Sequence, residues 1–147
     1  MLKGIDPLLS ADLPWTLAAM GHGDDLAIVD GNHPAETIAR ATTSGRLVRL
    51  PGVTMERTVA AVLTVLPIDD FTDDPVRRME VVGKPDEIPA VQQAVQAEIA
   101  RVANGIRMTG LERHAFYAAA RRAFAVVQCL DPRPYGCFLV RKGVIAG

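Results

Sequence analysis

Met20-Gly21-His22-Gly23-Asp24-Asp25-Leu26-Ala27-Ile28-Val29-Asp30-Gly31-Asn32-His33-Pro34 is a short apolar strand bracketed by two turns. Leu26 to Val29 is an unbroken apolar run, as expected of a strand buried on both faces. Gly21 and Gly23 leave the backbone open around His22. Gly31, Asn32 and Pro34 mark a tight loop, because glycine and asparagine accept unusual backbone angles and proline starts a helical turn. One histidine and one carboxylate therefore flank a single strand, at its opposite ends.

Outward from this stretch, strands and helices alternate. Leu9 to Met20 reads as a first helix, with Ser10 as its cap, Asp12 at its positive end and Pro14 in the first turn. Leu47 to Leu50 is a second strand. Thr54 to Leu66 is a helix stopped by Pro67, with Val59, Val62, Leu63 and Leu66 on its apolar face. Val76 to Val82 is a strand broken at Gly83-Lys84-Pro85. In Ile88 to Asn104, the residues Ile88, Val91, Val95, Ile99 and Val102 form one helical stripe. Ile106 to Thr109 is short and extended, and Glu112 to Arg121 is a polar-faced helix. Ala123 to Cys129 and Cys137 to Arg141 are strands around the turn Asp131-Pro132-Arg133-Pro134, close enough to pair antiparallel. The alternation predicts an α/β fold of three layers, α/β/α, around a mixed, mostly parallel sheet.

The 147 residues suit one domain, residues 1–147, with no internal repeat. A composition that is 49% hydrophobic and 22% charged is that of a globular chain. The net charge of −1 and the absence of a basic stripe argue against nucleic acid or an anionic membrane as partner. Two cysteines, Cys129 and Cys137, make a poor disulfide framework and read as free thiols in a reducing compartment. The opening residues lack an apolar signal core, and no apolar run reaches the ~18 residues of a membrane span. A cytoplasmic location is the expectation.

Several residues carry candidate chemistry. His22 is either a solvated turn histidine or an acid–base group. Asp30 either faces a ligand beyond the carboxyl end of its strand or caps the following turn. His33 could join His22 in a metal site, with Asp30 as the third group of a metal-dependent alternative, but the three do not show a recognisable metal spacing. Tyr117 and Tyr135, the two tyrosines of the chain, are sugar-stacking groups or plain packing anchors. Gly21-x-Gly23 follows a helix and lacks a third glycine, so it is no phosphate loop. There is no GxSxG nucleophile elbow.

Taken together, MLKGIDPLLS, MGHGDDLAIVDGNHPA, RHAFYAAARRAFAVVQ and PYGCFLVRKGV resemble the family that contains L-fucose mutarotase and D-ribose pyranase. The resemblance runs through nearly the whole chain in order, more loosely over residues 41–104. It implies that His22 is the proton donor. It implies that Asp30, Arg113, Tyr135, Gly136 and Cys137 bind the sugar, with Tyr117 lining the pocket. Cys137 departs from the family pattern, which usually has asparagine there. A thiol donates and accepts hydrogen bonds far more weakly than an amide. The implied activity is exchange of the α and β anomers of a monosaccharide, L-fucose or a relative, without metal, nucleotide or redox cofactor. The implied assembly is a ring-shaped homodecamer with sites at subunit contacts. A sugar-binding protein without turnover is the alternative.

Overall fold

Residues 2–145 are described by a computed structural model. The elements are α1 (Asp12–Ala19), β1 (Asp25–Val29), α2 (Ala35–Ala39), β2 (Leu47–Leu50), α3 (Met55–Leu63), β3 (Val76–Met79), α4 (Ala90–Val102), β4 (Thr109–Leu111), α5 (Arg113–Arg121), β5 (Ala125–Cys129) and β6 (Phe138–Arg141). The six strands form one sheet in the order β2-β5-β1-β6-β3-β4. β2, β5 and β1 run parallel, as do β3 and β4. β6 is antiparallel to both of its neighbours, β1 and β3. The sheet is thus mixed and mostly parallel, as the alternation of elements predicts.

β1 is buried on both sides because its side chains alternate between two cores. Leu26 and Ile28 pack with Leu13 and Leu17 of α1, Val59 and Val62 of α3, and Val91, Val95 and Ile99 of α4. Ala27 and Val29 face the other way, onto Ile38 of α2 and Phe116 and Ala120 of α5. These two cores are the interiors of a three-layer α/β/α sandwich.

Four expectations need correction. β5 and β6 do not pair with each other; β1 lies between them. The connection that separates them is braced by Asp131, which accepts from the Met55 backbone N–H at 2.9 Å, so the chain crosses over instead of turning back. Helix α1 starts at Asp12, and the Ser10 side chain does not cap it; the Ser10 carbonyl accepts from Leu13 N–H at 3.0 Å. In α4 only the middle of the predicted stripe is buried. Ile88 precedes the Pro89 cap, and Val102, the last helical residue before the Ala103 cap, is exposed, as is Ile88. The extended segment after α4 pairs as Thr109–Leu111, while Gln96 holds Ile106 O and Met108 N–H in place of a strand partner.

Candidate active site

The carboxyl end of β1 meets the start of β6, because the two strands are antiparallel and Ile28 pairs with Phe138. Asp30 therefore faces the segment Tyr135-Gly136-Cys137. Its Oδ1 accepts the N–H groups of Asn32 at 2.9 Å and His33 at 3.1 Å, which folds the loop into an Asx turn. Its Oδ2 accepts Gly136 N–H at 3.0 Å and the Cys137 thiol at 3.6 Å. Asp30 is almost wholly buried. Burial pushes its carboxyl above the usual range, against the pull of these four donors. The turn-capping role considered for Asp30 is thus present.

Gly136 suits this closeness, because any side chain there would be tightly packed. A Cβ there would lie 3.3 Å from Asp30 Cβ and 3.4 Å from Met55 Cε and Val91 Cγ2. Tyr135 precedes it with φ of 64°, a left-handed conformation that side chains other than glycine adopt at a cost. The strain is held by Gln92, whose Nε2 donates to Tyr135 O at 2.9 Å and to Met79 O at 2.7 Å. The Tyr135 hydroxyl accepts from Val82 N–H at 3.4 Å.

Cys137 and Cys129 are free, buried thiols. Burial, then the adjacent Asp30 charge, pushes the Cys137 thiol well up, so it stays protonated and donates to Asp30. His33 Nδ1 lies 3.6 Å from the same sulfur. The His33 ring is buried against Phe116 and Tyr117, at 6.0 and 5.3 Å between ring centres. Its Nε2 has no hydrogen-bond partner among the described residues. Burial, then the charge of Arg121, holds its pKa down at about 4, so the ring is neutral. A neutral ring here was not anticipated; a lone histidine in a tight loop carries no local sign of its burial.

From His33 a row of side chains leads outward along α5. Tyr117 is half-buried, and His114 lies beside it at 6.5 Å. Arg113 Nη2 approaches His114 Nε2 at 3.4 Å in solvent. Glu112 caps the helix, accepting from His114 N–H at 2.8 Å and Ala115 N–H at 3.2 Å, which fixes where Arg113 emerges.

Asp30, Tyr117, Tyr135, Gly136 and Cys137 are therefore brought together, with Arg113 at the rim. His22 is not among them. It lies at the opposite end of β1, about 17 Å away for five strand residues at ~3.4 Å each. This separation also divides His22 from His33 within one chain, and no group of three or more His, Cys, Asp or Glu side chains that could hold a metal ion occurs among the described residues. His22 is half-exposed, with Nε2 3.1 Å from Oδ1 of the buried Asp69 and its ring edge-on to Phe71. Asp69 escaped sequence reasoning because it belongs to an acidic run, Asp69-Asp70 and Asp73-Asp74, that looks like a solvated surface.

A three-layer α/β/α subunit with a histidine turn before its central strand and a buried aspartate after it defines a known class. The chain belongs to the RbsD / FucU transport protein family, whose pattern it matches over residues 3–145. It is similar to human fucose mutarotase, with 38% identity over 149 residues, spanning 99% of this chain and 95% of that protein. Among solved structures, protein Atu2016 has a TM-score of 0.96 at 46% identity, covering 99% of this chain and 97% of the other. The fucose mutarotase of Streptococcus pneumoniae, solved in complex with L-fucose, has a TM-score of 0.86 at 30% identity, covering 99% and 100%.

Proposed function

We propose that the chain is a sugar mutarotase, an isomerase that interconverts the α and β anomers of L-fucose or a closely related monosaccharide. The observation that carries this is a half-exposed histidine, His22, hydrogen-bonded to a buried carboxylate. It sits on a chain whose full length matches fucose mutarotases.

The chemistry is ring opening and closing of a hemiacetal. His22 gives a proton to the ring oxygen while a base takes the proton of the anomeric hydroxyl. The bond from C1 to the ring oxygen breaks, leaving an aldehyde. Rotation about C1–C2 and the reverse transfers close the ring on the other face. Histidine suits both directions because imidazole serves as acid or base near neutrality. Asp30, Arg113, Tyr117, Tyr135, Gly136 and Cys137 form the sugar-holding side, and residues 1–147 act as one mutarotase domain.

The distance along β1 bears on assembly. One subunit cannot bring His22 to its own Asp30 cluster across the sheet, so a neighbouring subunit completes the site. A closed ring, a homodecamer by family resemblance, does this repeatedly. A cytoplasmic location fits the two buried free thiols. No helix among the described residues is long and apolar enough to cross a membrane.

The test is exchange NMR on the anomers of L-fucose, ribose and galactose. The wild type should accelerate at least one exchange, and His22→Ala should lose about 100-fold or more, the scale of general acid–base help. Saturable binding with every exchange rate at the buffer value would instead establish a sugar-binding protein without turnover.

A further inference from the structure

β3 carries two adjacent arginines, and strand alternation sends them to opposite faces of the sheet. Arg77 forms an ion pair with Asp25, at the start of β1. Arg78 lies on the side of Val76, toward the apolar core under α3 and α4. Glu80, next on that face, lies over Gly110 and forms no ion pair with it. Arg78 donates from Nη2 to Pro85 O at 2.9 Å, while its Nη1 is buried with no hydrogen-bond partner among the described residues. The residue is 7% exposed. A guanidinium keeps its charge at any working pH, so its burial cannot be relieved by loss of a proton. A buried charge without a partner is costly, and an anion beside it offsets part of that cost.

Arg78 lines a cleft of about 470 Å³ beside α4, within the ~300–1,000 Å³ of small-molecule sites. Its shape follows from the end of that helix. Gly105, with φ of 90°, turns the chain back after the Ala103 cap. Gln96 then ties down the returning segment through Ile106 O and Met108 N–H. Ile88, Ala100, Ile106 and Met108 supply an apolar lining, and Arg107 adds a second, exposed guanidinium. On its other side Arg107 borders a hollow lined by Asp69, Asp70 and Asp73, and it forms no ion pair with them. The C-terminal end of α4 offers at most roughly half a negative charge. Most of two positive charges is therefore uncompensated at one cleft.

We propose that this cleft is a second binding site, for a small phosphate monoester, separate from the sugar side around Asp30. Arg78 and Arg107 take the phosphate, and the apolar lining takes the carbon body. Charge decides between the oxyanions. A phosphate monoester carries about −1.5 to −2 near neutrality and matches two guanidinium groups, whereas a carboxylate matches one. The planar fork of arginine suits either geometrically. The inference does not rest on the mutarotase reading, and neither result of its test bears on anomer exchange.

The experiment titrates the full chain with sn-glycerol 3-phosphate by calorimetry, with inorganic phosphate, acetate and glycerol as separate arms. The expected result is one saturable site per chain with Kd of about 0.1–1 mM. Inorganic phosphate should bind more weakly, acetate at least tenfold more weakly, and glycerol not at all. Saturating L-fucose should leave the affinity unchanged. Arg78→Met should weaken binding at least tenfold, and it should fold, because an apolar side chain of similar length replaces an unpaired buried charge. Arg107→Ala, at an exposed position that folding does not depend on, should weaken binding several-fold and decides the matter if Arg78→Met does not fold. No saturable heat with glycerol 3-phosphate up to about 10 mM overturns the proposal. So does binding that neither substitution weakens, or that L-fucose displaces. Acetate binding as tightly as the phosphate ester overturns the assignment to phosphate.

Discussion

Asp131→Asn removes one charge and almost no volume, and the structure says what that charge does. Asp131 is buried at the end of β5 and accepts from Arg133 Nη2 at 2.6 Å, from Arg133 N–H at 3.0 Å and from Met55 N–H at 2.9 Å. The Arg133 hydrogen bond, then the two backbone donors working against burial, hold its carboxyl at about 2, against an ordinary 3.8. At ~1.36 kcal/mol per unit this shift is worth about 2 kcal/mol, after some discount for the partly exposed Arg133 partner. A depressed carboxyl stabilises the fold fully above its unfolded pKa and loses that contribution as pH falls through its folded one. The gap between wild type and Asp131→Asn should therefore be full at pH 5–7 and close between pH ~4 and ~2. Urea unfolding at fixed protein concentration measures it. With m of roughly 2 kcal/mol/M, the midpoint should fall by about 1 M at neutral pH with m unchanged. A midpoint shift under about 0.25 M at pH 7, or a gap that persists unchanged to pH 2, would refute the assignment. There is a functional side too. Asp131 O accepts Gly31 N–H at 3.1 Å, so this loop supports the Asp30 turn.

Other perturbations separate the remaining parts of the site. His33 is neutral when folded, with its pKa held at about 4 against 6.5. Its contribution is complete above pH 6.5 and declines by roughly 3 kcal/mol as pH falls to about 4, a window distinct from that of Asp131. His33→Phe should flatten the urea midpoint across that window; an unchanged slope counts against a neutral buried ring. Gly136→Ala should destabilise by about 1–3 kcal/mol, since Asp30 is held by four donors and the buried Met55 and Val91 side chains must both give way to the new methyl. Thermal or urea unfolding with no loss would mean that the junction of the two loops is looser than described. Cys137→Asn replaces a weak thiol contact with an amide, worth roughly 1 kcal/mol, and should lower KM for L-fucose about fivefold with kcat nearly constant. Titration of the exchange rate against sugar concentration would show otherwise if KM stays put.

Much of the fold was legible because its signals are local. The Gly-His-Gly turn, the apolar run of β1 and the Asp-Gly-Asn loop each announce themselves within a few residues. The helices expected from Thr54 and from Glu112 are present too, although these two residues turn out to be the caps: Thr54 accepts from Arg57 N–H, and Glu112 accepts from His114 and Ala115 N–H. What failed depends on distant partners. The closeness of β5 and β6 in sequence suggested a hairpin, but hydrophobic pattern alone cannot show that β1 enters between two largely buried strands. The site followed the same division. His22 and Asp30 stand out by their flanks, whereas Asp69 lies 47 residues from the histidine it contacts, and no period links them.

Asp30 marks where the family pattern and the geometry of this chain pull apart. Each of its oxygens already accepts two donors, two backbone N–H groups on Oδ1 and one backbone N–H with the thiol on Oδ2. A carboxylate so occupied has little left for a sugar hydroxyl in the free protein. Its first effect is to tie the loop after β1 to the loop before β6, and so to hold Tyr135 in its left-handed turn. That gives the Cys137 departure a physical meaning. The thiol is the weakest of the four donors, and it is the one an incoming hydroxyl would displace most cheaply. An asparagine in its place would hold Asp30 more firmly and offer the sugar its own amide. On the sugar-binding reading proposed above, a sugar would reach Asp30 by competing with sulfur, and position 137 would then be a point where substrate choice is set.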